Sequence, residues 1–187
     1  MKAVIDTCSL LALVRYYLPF DNEGKLKSFF ENHIDSGEII ILDKVFDECR
    51  FLGQGQVIKA LPFLSPLKCK TIAVANALNK KLFNMIDNNF VVKGATARLQ
   101  EAEYQLVRDK FVDSADFAIV MFAYGIKDQE SVRIVTEETE NSNDGKPFQK
   151  IPGICKSLKL QTQSLPEFLL EKDIISMSVD AAELTLF

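Results

Sequence analysis

Apolar positions along the chain follow two rhythms, and their alternation predicts the fold. Lys2 to Ile5 reads as a short buried strand, and from Ser9 to Leu18 the apolar positions Leu10, Leu11, Val14 and Leu18 keep helical spacing until Pro19. Leu26, Phe29, Phe30 and His33 or Ile34 repeat that spacing within Gly24 to Asp35, and Gly37 supplies a stop. The run EIIIL, Glu38 to Leu42, is apolar enough for a strand with both faces covered, and Asp43 is the expected N-cap of a helix through KVFDECRFL. From Gly53 to about Lys93 the pattern loosens around Gly53, Gly55, Pro62 and Pro66, which predicts an inserted helical region. Thr96 to Lys110 reads as a surface helix with Leu99, Ala102, Leu106 and Val107 or Phe111 turned inward.

The second half repeats the order. DSADFAIVMFAYG predicts a helix from Asp113 or Ser114 to Gly125, followed by VRIV, Val132 to Val135, as a third apolar strand. A polar loop follows, then IPGICKSL as a short helix with Pro152 in its first turn, and KLQTQ as a last strand. Ser164 and Glu167 have the spacing of a capping box for a final helix. Strands alternating with helices indicate an open, mostly parallel α/β sheet, whose ligand crevice lies beyond the carboxyl ends of the strands.

Composition narrows the picture. The chain has 187 residues, 48% of them apolar, enough for a full core and consistent with one domain over 1–170 and a tail at 171–187. No apolar run reaches the ~20 residues a bilayer requires, so the expected place is the cytoplasm and no membrane partner is expected. Cys8, Cys49, Cys69 and Cys155 lie far apart, which predicts buried or idle thiols rather than a zinc knuckle or a disulfide framework. A formal charge of −4 argues against a binder that works through a broad basic surface.

The acids are where chemistry is expected. Asp6 follows strand one, Glu48 lies one turn into the helix after strand two, and Glu137 and Glu138 follow strand three. In a parallel sheet Asp6 and the Glu137/Glu138 pair share one edge, while Asp113 and Asp116 stand one helical turn apart. Singly, each has an ordinary explanation as a cap, a helix-dipole partner or a solvated charge. Together they form a cluster whose like charges suppress ionisation unless a cation is present. Mg²⁺ or Mn²⁺ suits such oxygen donors, and phosphodiester hydrolysis is the reaction the arrangement serves best. Competing devices are missing: there is no G-x-x-x-x-G-K-[ST] loop and no G-x-G-x-x-G. A serine-histidine system would rest on His33 alone, which reads as a structural residue on a helix face.

VIDTCSLL, the acid in DKVFDECR, DSADFAIVMFAYG and IVTEE together resemble the PIN domain, the fold of many bacterial toxin ribonucleases of the VapC type. KIPGICKSL further resembles a PIN subfamily that carries a V-T-x-E element followed by K-I-P-x-x-C. The resemblance covers most of the chain in element order, leaves out the 53–93 region, and implies a three-layer α/β/α fold with a central sheet of four to five strands. It implies metal-dependent cleavage of RNA, with Asp6, Glu48 and Asp116 holding Mg²⁺ or Mn²⁺. Glu138 falls at the acid of V-T-x-E with Glu137 beside it, and Asp113 is kept as an alternative to Asp116 or, with Glu138, for a second ion or the attacking water. Thr7 and Ser9 match hydroxyls that flank the first aspartate, and Cys8 stands where asparagine is common. Lys44, Lys146, Lys150 and Lys156 are the implied contacts to the RNA backbone, and a cognate antitoxin and a second copy of the chain are the implied partners. Kept beside this are an inactive PIN-fold binding module and a metal-dependent phosphatase. A haloacid-dehalogenase-type phosphatase would need an aspartate where Cys8 stands.

Overall fold

The structure, a computed structural model, describes residues 1–71, 80–140 and 145–176. Four strands form an all-parallel sheet: β1 (Lys2–Ile5), β2 (Ile39–Ile40), β3 (Val132–Val135) and β4 (Gln161–Gln163), in the order β2-β1-β3-β4. Successive strand residues point to opposite faces, and Ala3, Val4 and Ile5 are all buried. Burying three in a row requires cover on both faces, which is why the fold is α/β/α and why this strand is apolar without alternation. In register, Val4 lies opposite Ile40 and Ile134, so β1 is the centre of the core. β4 is the exposed edge, and its Gln-Thr-Gln sequence suits solvent on that side.

The helices are α1 (Thr7–Ala12), α2 (Lys25–Asp35), α3 (Asp43–Phe51), α4 (Gln56–Ala60), α5 (Lys80–Asn89), α6 (Lys93–Thr96), α7 (Glu101–Val112), α8 (Ala115–Ile126), α9 (Ile151–Leu158) and α10 (Leu165–Glu171). Among the described residues no helix is long and apolar enough to cross a membrane. α8 is the most apolar of them and packs on β1 and β3, burying Phe117, Ala118, Ile119, Val120 and Ala123. α9 and α10 start as the sequence predicts, α9 with Pro152 in its first turn and α10 with the Ser164–Glu167 capping box.

Several local expectations give way to tertiary context. The helix expected from Ser9 begins earlier: α1 starts at Thr7, and its N-cap is Asp6, whose side chain accepts the Thr7 N–H. The helix then widens into a π-helix over Leu13–Tyr17. β2 keeps two residues of the five-residue segment Glu38 to Leu42, and Leu42 makes only an isolated parallel bridge with Lys70. The N-cap of α3 is Leu42, and Asp43 occupies the first helical position. α7 starts later than expected, with Gln100 and Glu103 closing a capping box. Its inner face carries Tyr104, Val107, Phe111 and Val112, leaving Ala102 exposed and Leu106 64% exposed, because Phe111 stacks on Phe148 and thereby sets the helix rotation. Among its described residues the inserted region holds α4, α5 and a 3₁₀ turn at Pro66–Lys68, joined by irregular segments such as 61–65 and 69–71, and 72–79 lies outside the described residues.

Candidate active site

The carboxyl ends of β1 and β3 place Asp6 and Thr136 side by side. Asp6 continues the sheet through its N–H to Val135 O (3.0 Å), so its carboxylate is delivered where the strand stops and α1 starts. It is only 4% exposed, and it survives burial because three donors meet it. The Thr7 N–H donates to Oδ1 (2.6 Å), while the Cys8 thiol (2.7 Å) and the Thr136 hydroxyl (2.8 Å) donate to Oδ2. All three donors are neutral. Burial raises the Asp6 carboxyl above its usual range, the bonds from Cys8, Thr136 and Thr7 work against the rise, and the charge of Glu138 adds to it.

Two further acids look toward the same spot. α3 turns Val45, Phe46 and Cys49 into the core, which leaves Glu48 on the edge, where its Oε2 accepts the Thr7 hydroxyl at 2.7 Å. α8 begins at Ser114, whose hydroxyl accepts the Phe117 N–H at 3.2 Å, so Asp116 in the first turn is free of capping duty. The Asp116 side chain makes no hydrogen bond among the described residues. Burial first, then the charges of Asp6, Glu138 and Glu48, push its carboxyl up to about 7, with Lys146 pulling the other way. Four groups from 6 to 138 in the chain therefore share one electrostatic neighbourhood.

Glu137 and Glu138 have work of another kind. Glu138 Oε2 accepts the N–H of Ile151 (3.0 Å) and Glu137 Oε1 that of Leu165 (2.7 Å), the first residues of α9 and α10. Each carboxylate caps a helix whose own cap residue leaves that donor unmet, and each sits at the positive end of a helix dipole. The loop after β3 is thus tied to two helices at consecutive residues. The Cys8 thiol also accepts the Glu137 N–H (3.2 Å), and Thr136 Oγ1 accepts that of Glu138 (3.2 Å).

Beside Asp116 and Glu138 lies a cleft of ≈ 360 Å³, floored by Val107, Phe111 and Phe148 and edged by Lys110, Lys146 and Lys150. The floor is firm because the Phe111 and Phe148 rings stack at 4.2 Å, 6° from parallel. The lysine-bearing segment is pinned by backbone bonds from Val92 N to Pro147 O and from Gln149 N to Phe90 O, both 2.8 Å. The inserted region therefore ends by fixing one wall of this cleft.

Residues 4–175 match the model of a family described as a domain of unknown function, DUF4411. The chain belongs to that family. The matched span contains β2, β3, β4 and the second half of β1, and with them every acid described above. No curated protein and no solved structure matches the chain.

Asp6, Glu48, Asp116 and Glu138 are brought into one neighbourhood, and Thr7 serves both Asp6 and Glu48. Asp113 is not brought in. It ends α7, is exposed, and forms an ion pair with Lys44, so both residues are engaged with each other. Lys156 likewise pairs with Glu140 at 2.7 Å, away from the cleft that Lys146 and Lys150 line. Ser9 is fully buried and its hydroxyl has no partner among the described residues. His33 is half-buried on α2 with Nδ1 at 2.8 Å from Phe29 O, a structural residue as expected. The cysteines are unpaired thiols, but Cys8 is not idle. Its thiol is pushed up to about 12 by burial, by the charge of Asp6 and by the bond it donates to Asp6.

Sequence reasoning missed Thr136 and Lys110. Thr136 was visible as the only polar residue directly after the last apolar strand, at the place where Asp6 stands after the first. Lys110 carried no signal, since it is one lysine on a polar helix. Among the described residues no three His, Cys, Asp or Glu side chains stand close enough to enclose a metal ion as they lie.

Proposed function

We propose that this chain is a metal-dependent ribonuclease of the PIN type, hydrolysing phosphodiester bonds of RNA. One observation supports this above the others. Among the described residues the buried polar side chains are Asp6, Thr7, Ser9 and Thr136, and all four belong to the two strand ends that form this edge. A fold of this size hides polar groups only where they are needed, because each costs free energy to desolvate. Here Thr7 and Thr136 orient the Asp6 carboxylate, and among the described residues no cationic side chain is bonded to Asp6, Glu48 or Asp116.

The donor set suits a hard divalent cation. Mg²⁺ and Mn²⁺ take one or two carboxylates and keep several waters, so a cage of three protein ligands is not required. Asp6 and Asp116 would hold the ion, with Glu48 and Glu138 close by. When bound, it would acidify a water and stabilise charge on the phosphate. The chain's own part is positional. Thr136, Cys8 and the Thr7 N–H hold the Asp6 carboxylate in one rotamer, and the Thr7 hydroxyl holds Glu48 against the same strand end. Lys110 and Lys146 present ammonium groups along the cleft at Asp116, where the phosphates of a polymer would lie.

Among the described residues no three ligands converge, which favours one rival, a binding module of the same fold that does not cleave. Thermal melting with Mn²⁺ separates the two. A cation that binds only the folded state at 100 times its Kd adds about 2.7 kcal/mol, a rise of several degrees. Asp6→Asn should remove that rise. Metal-loaded protein should then cleave labelled RNA in preference to single-stranded DNA and a chromogenic phosphoester. No melting shift and no cleavage would leave the binding module, while hydrolysis of the phosphoester alone would make it a phosphatase.

A further inference from the structure

A second cleft, of ≈ 430 Å³, opens beside Cys8 and Glu137 and has no part in the chemistry above. Its floor is Leu11 and Ala12, and its walls are Arg15, Tyr16 and Tyr17, all on the π-helix that prolongs α1. A π-turn is rare and recurs at functional sites. This one begins about two turns after Asp6 has capped the helix. It leaves Tyr16 66% exposed, an aromatic ring held in water beside a catalytic edge. The Tyr17 hydroxyl is raised by burial and by the charge of Glu137, which places it at the junction with the acids. Arg15 is exposed, donates from Nε to Gln56 Oε1 (3.2 Å), and has no carboxylate partner among the described residues.

The two clefts touch the acids at consecutive residues, the lysine cleft at Glu138 and the tyrosine cleft at Glu137. A polymer crossing the acids would therefore leave one cleft and enter the other. The lysine side offers point charges, which suit phosphates. The tyrosine side offers one exposed ring, one cation and an apolar floor, which suit the flat face of a base and the phosphate attached to it. An amphipathic protein helix would cover the ring equally well but would set its apolar stripe against Arg15 and Glu137, both of which need water or an opposite charge.

The geometry points to the Arg15–Tyr16–Tyr17 cleft as a nucleobase seat, in which an unpaired base next to the cleaved phosphate stacks on Tyr16. The inference rests on the ribonuclease reading and deepens it. It makes Tyr16 a specificity-determining residue, and it excludes duplex, because a paired base keeps both faces inside its own stack.

The test is the binding of a short labelled single-stranded oligoribonucleotide in EDTA, followed by fluorescence anisotropy, alongside cleavage of the same strand with Mn²⁺. Tyr16→Ala should weaken binding about 5- to 100-fold, while Tyr16→Phe, which keeps the ring, stays close to the parent. An abasic strand should bind the parent as weakly as the intact strand binds Tyr16→Ala. Tyr16 is mostly in solvent, so the melting temperature of Tyr16→Ala should match the parent. Cleavage with unchanged affinity and KM in Tyr16→Ala would overturn the seat and leave the ribonuclease. Tyr16-dependent binding with no cleavage of any strand would keep the seat and remove the ribonuclease. Equal affinity for duplex and single strand, or loss of oligonucleotide binding to a protein partner that needs Tyr16 instead, would also overturn it.

Discussion

Two carboxylates, Asp87 on α5 and Asp6 at the end of β1, show what separates an acid that serves structure from one that serves chemistry. Asp87 accepts from the Tyr104 hydroxyl and pairs with Arg108 at 3.4 Å, and Arg108 in turn lies over the Phe83 ring at 4.7 Å. Its charge is cancelled where it stands, and the set fastens α5 to α7. Asp6 is more deeply buried yet meets only a hydroxyl, a thiol and an N–H. Neutral donors hold a carboxylate in place without cancelling it, so the residual charge is left for something from outside. The same contrast divides Asp113, matched by Lys44, from Asp116 three residues on, which has no ion-pair partner among the described residues and a carboxyl pushed up to about 7.

Replacing the two aspartates should break the comparison cleanly if it is sound. Asp6→Asn keeps a side chain suited to an N-cap and removes the charge, so RNA cleavage should fall by about 10²-fold or more, the scale on which one charge-stabilising group acts. Its metal-free melting temperature should not fall. Asp87→Asn should do the reverse, lowering stability by about 1–3 kcal/mol because Arg108 loses its carboxylate, while activity per folded molecule stays level. An active Asp6→Asn, or an inactive but stable Asp87→Asn, would erase the distinction.

A smaller effect is expected from the donor that sequence reasoning overlooked. Thr136→Val preserves shape and deletes one bond to Asp6 and one acceptor for Glu138 N–H. Groups that orient a metal ligand typically contribute about 10- to 100-fold to metal affinity or activity, so the Mn²⁺ midpoint in a melting titration should rise by that order. Restoring the hydroxyl with Thr136→Ser should recover most of it, and a uniform loss of stability without a change in midpoint would assign Thr136 to the core instead.

The smallest effect sharpens the comparison through pH. Asp116 titrates at about 7 when folded and near 3.8 ordinarily, so between those values the folded chain holds a proton that the unfolded chain has released. Stability therefore falls as pH rises from about 4 to about 7 and levels off above, the opposite of a salt-bridged aspartate. Asp6, raised in the same direction, adds to the slope. Metal-free protein should melt a few degrees lower at about pH 8 than at about pH 5.5, and Asp116→Asn should flatten the curve. A melting temperature that climbs over this range would contradict the crowding of the acids.

Much of this architecture was legible in residue order. β3, α9 and the capping box of α10 lie where apolar runs, Pro152 and the Ser164–Glu167 spacing put them, because those signals act within a few residues. The misplacements share another cause. β2 shrank to Ile39–Ile40 although the whole run is apolar, since pairing depends on what β1 offers as a partner and not on the run itself. α7 presents Tyr104 inward and Leu106 outward because the ring of Phe148, 37 residues beyond Phe111, decides its rotation. Among the acids, Asp113 and Asp116 could not be told apart by spacing, and only the position of Lys44 on another helix separated them.

The sequence by itself determined the strand and helix order, the parallel sheet and the presence of acids just past the strand ends, because apolar periodicity and helix caps are local and the strand direction follows from the connections. Tertiary structure decided which acids share a neighbourhood, that Glu137 and Glu138 cap α9 and α10, and that Thr136 rather than Ser9 holds Asp6. Those outcomes depend on side-chain directions set by packing between segments as much as 130 residues apart, and no local preference in a chain carries that information.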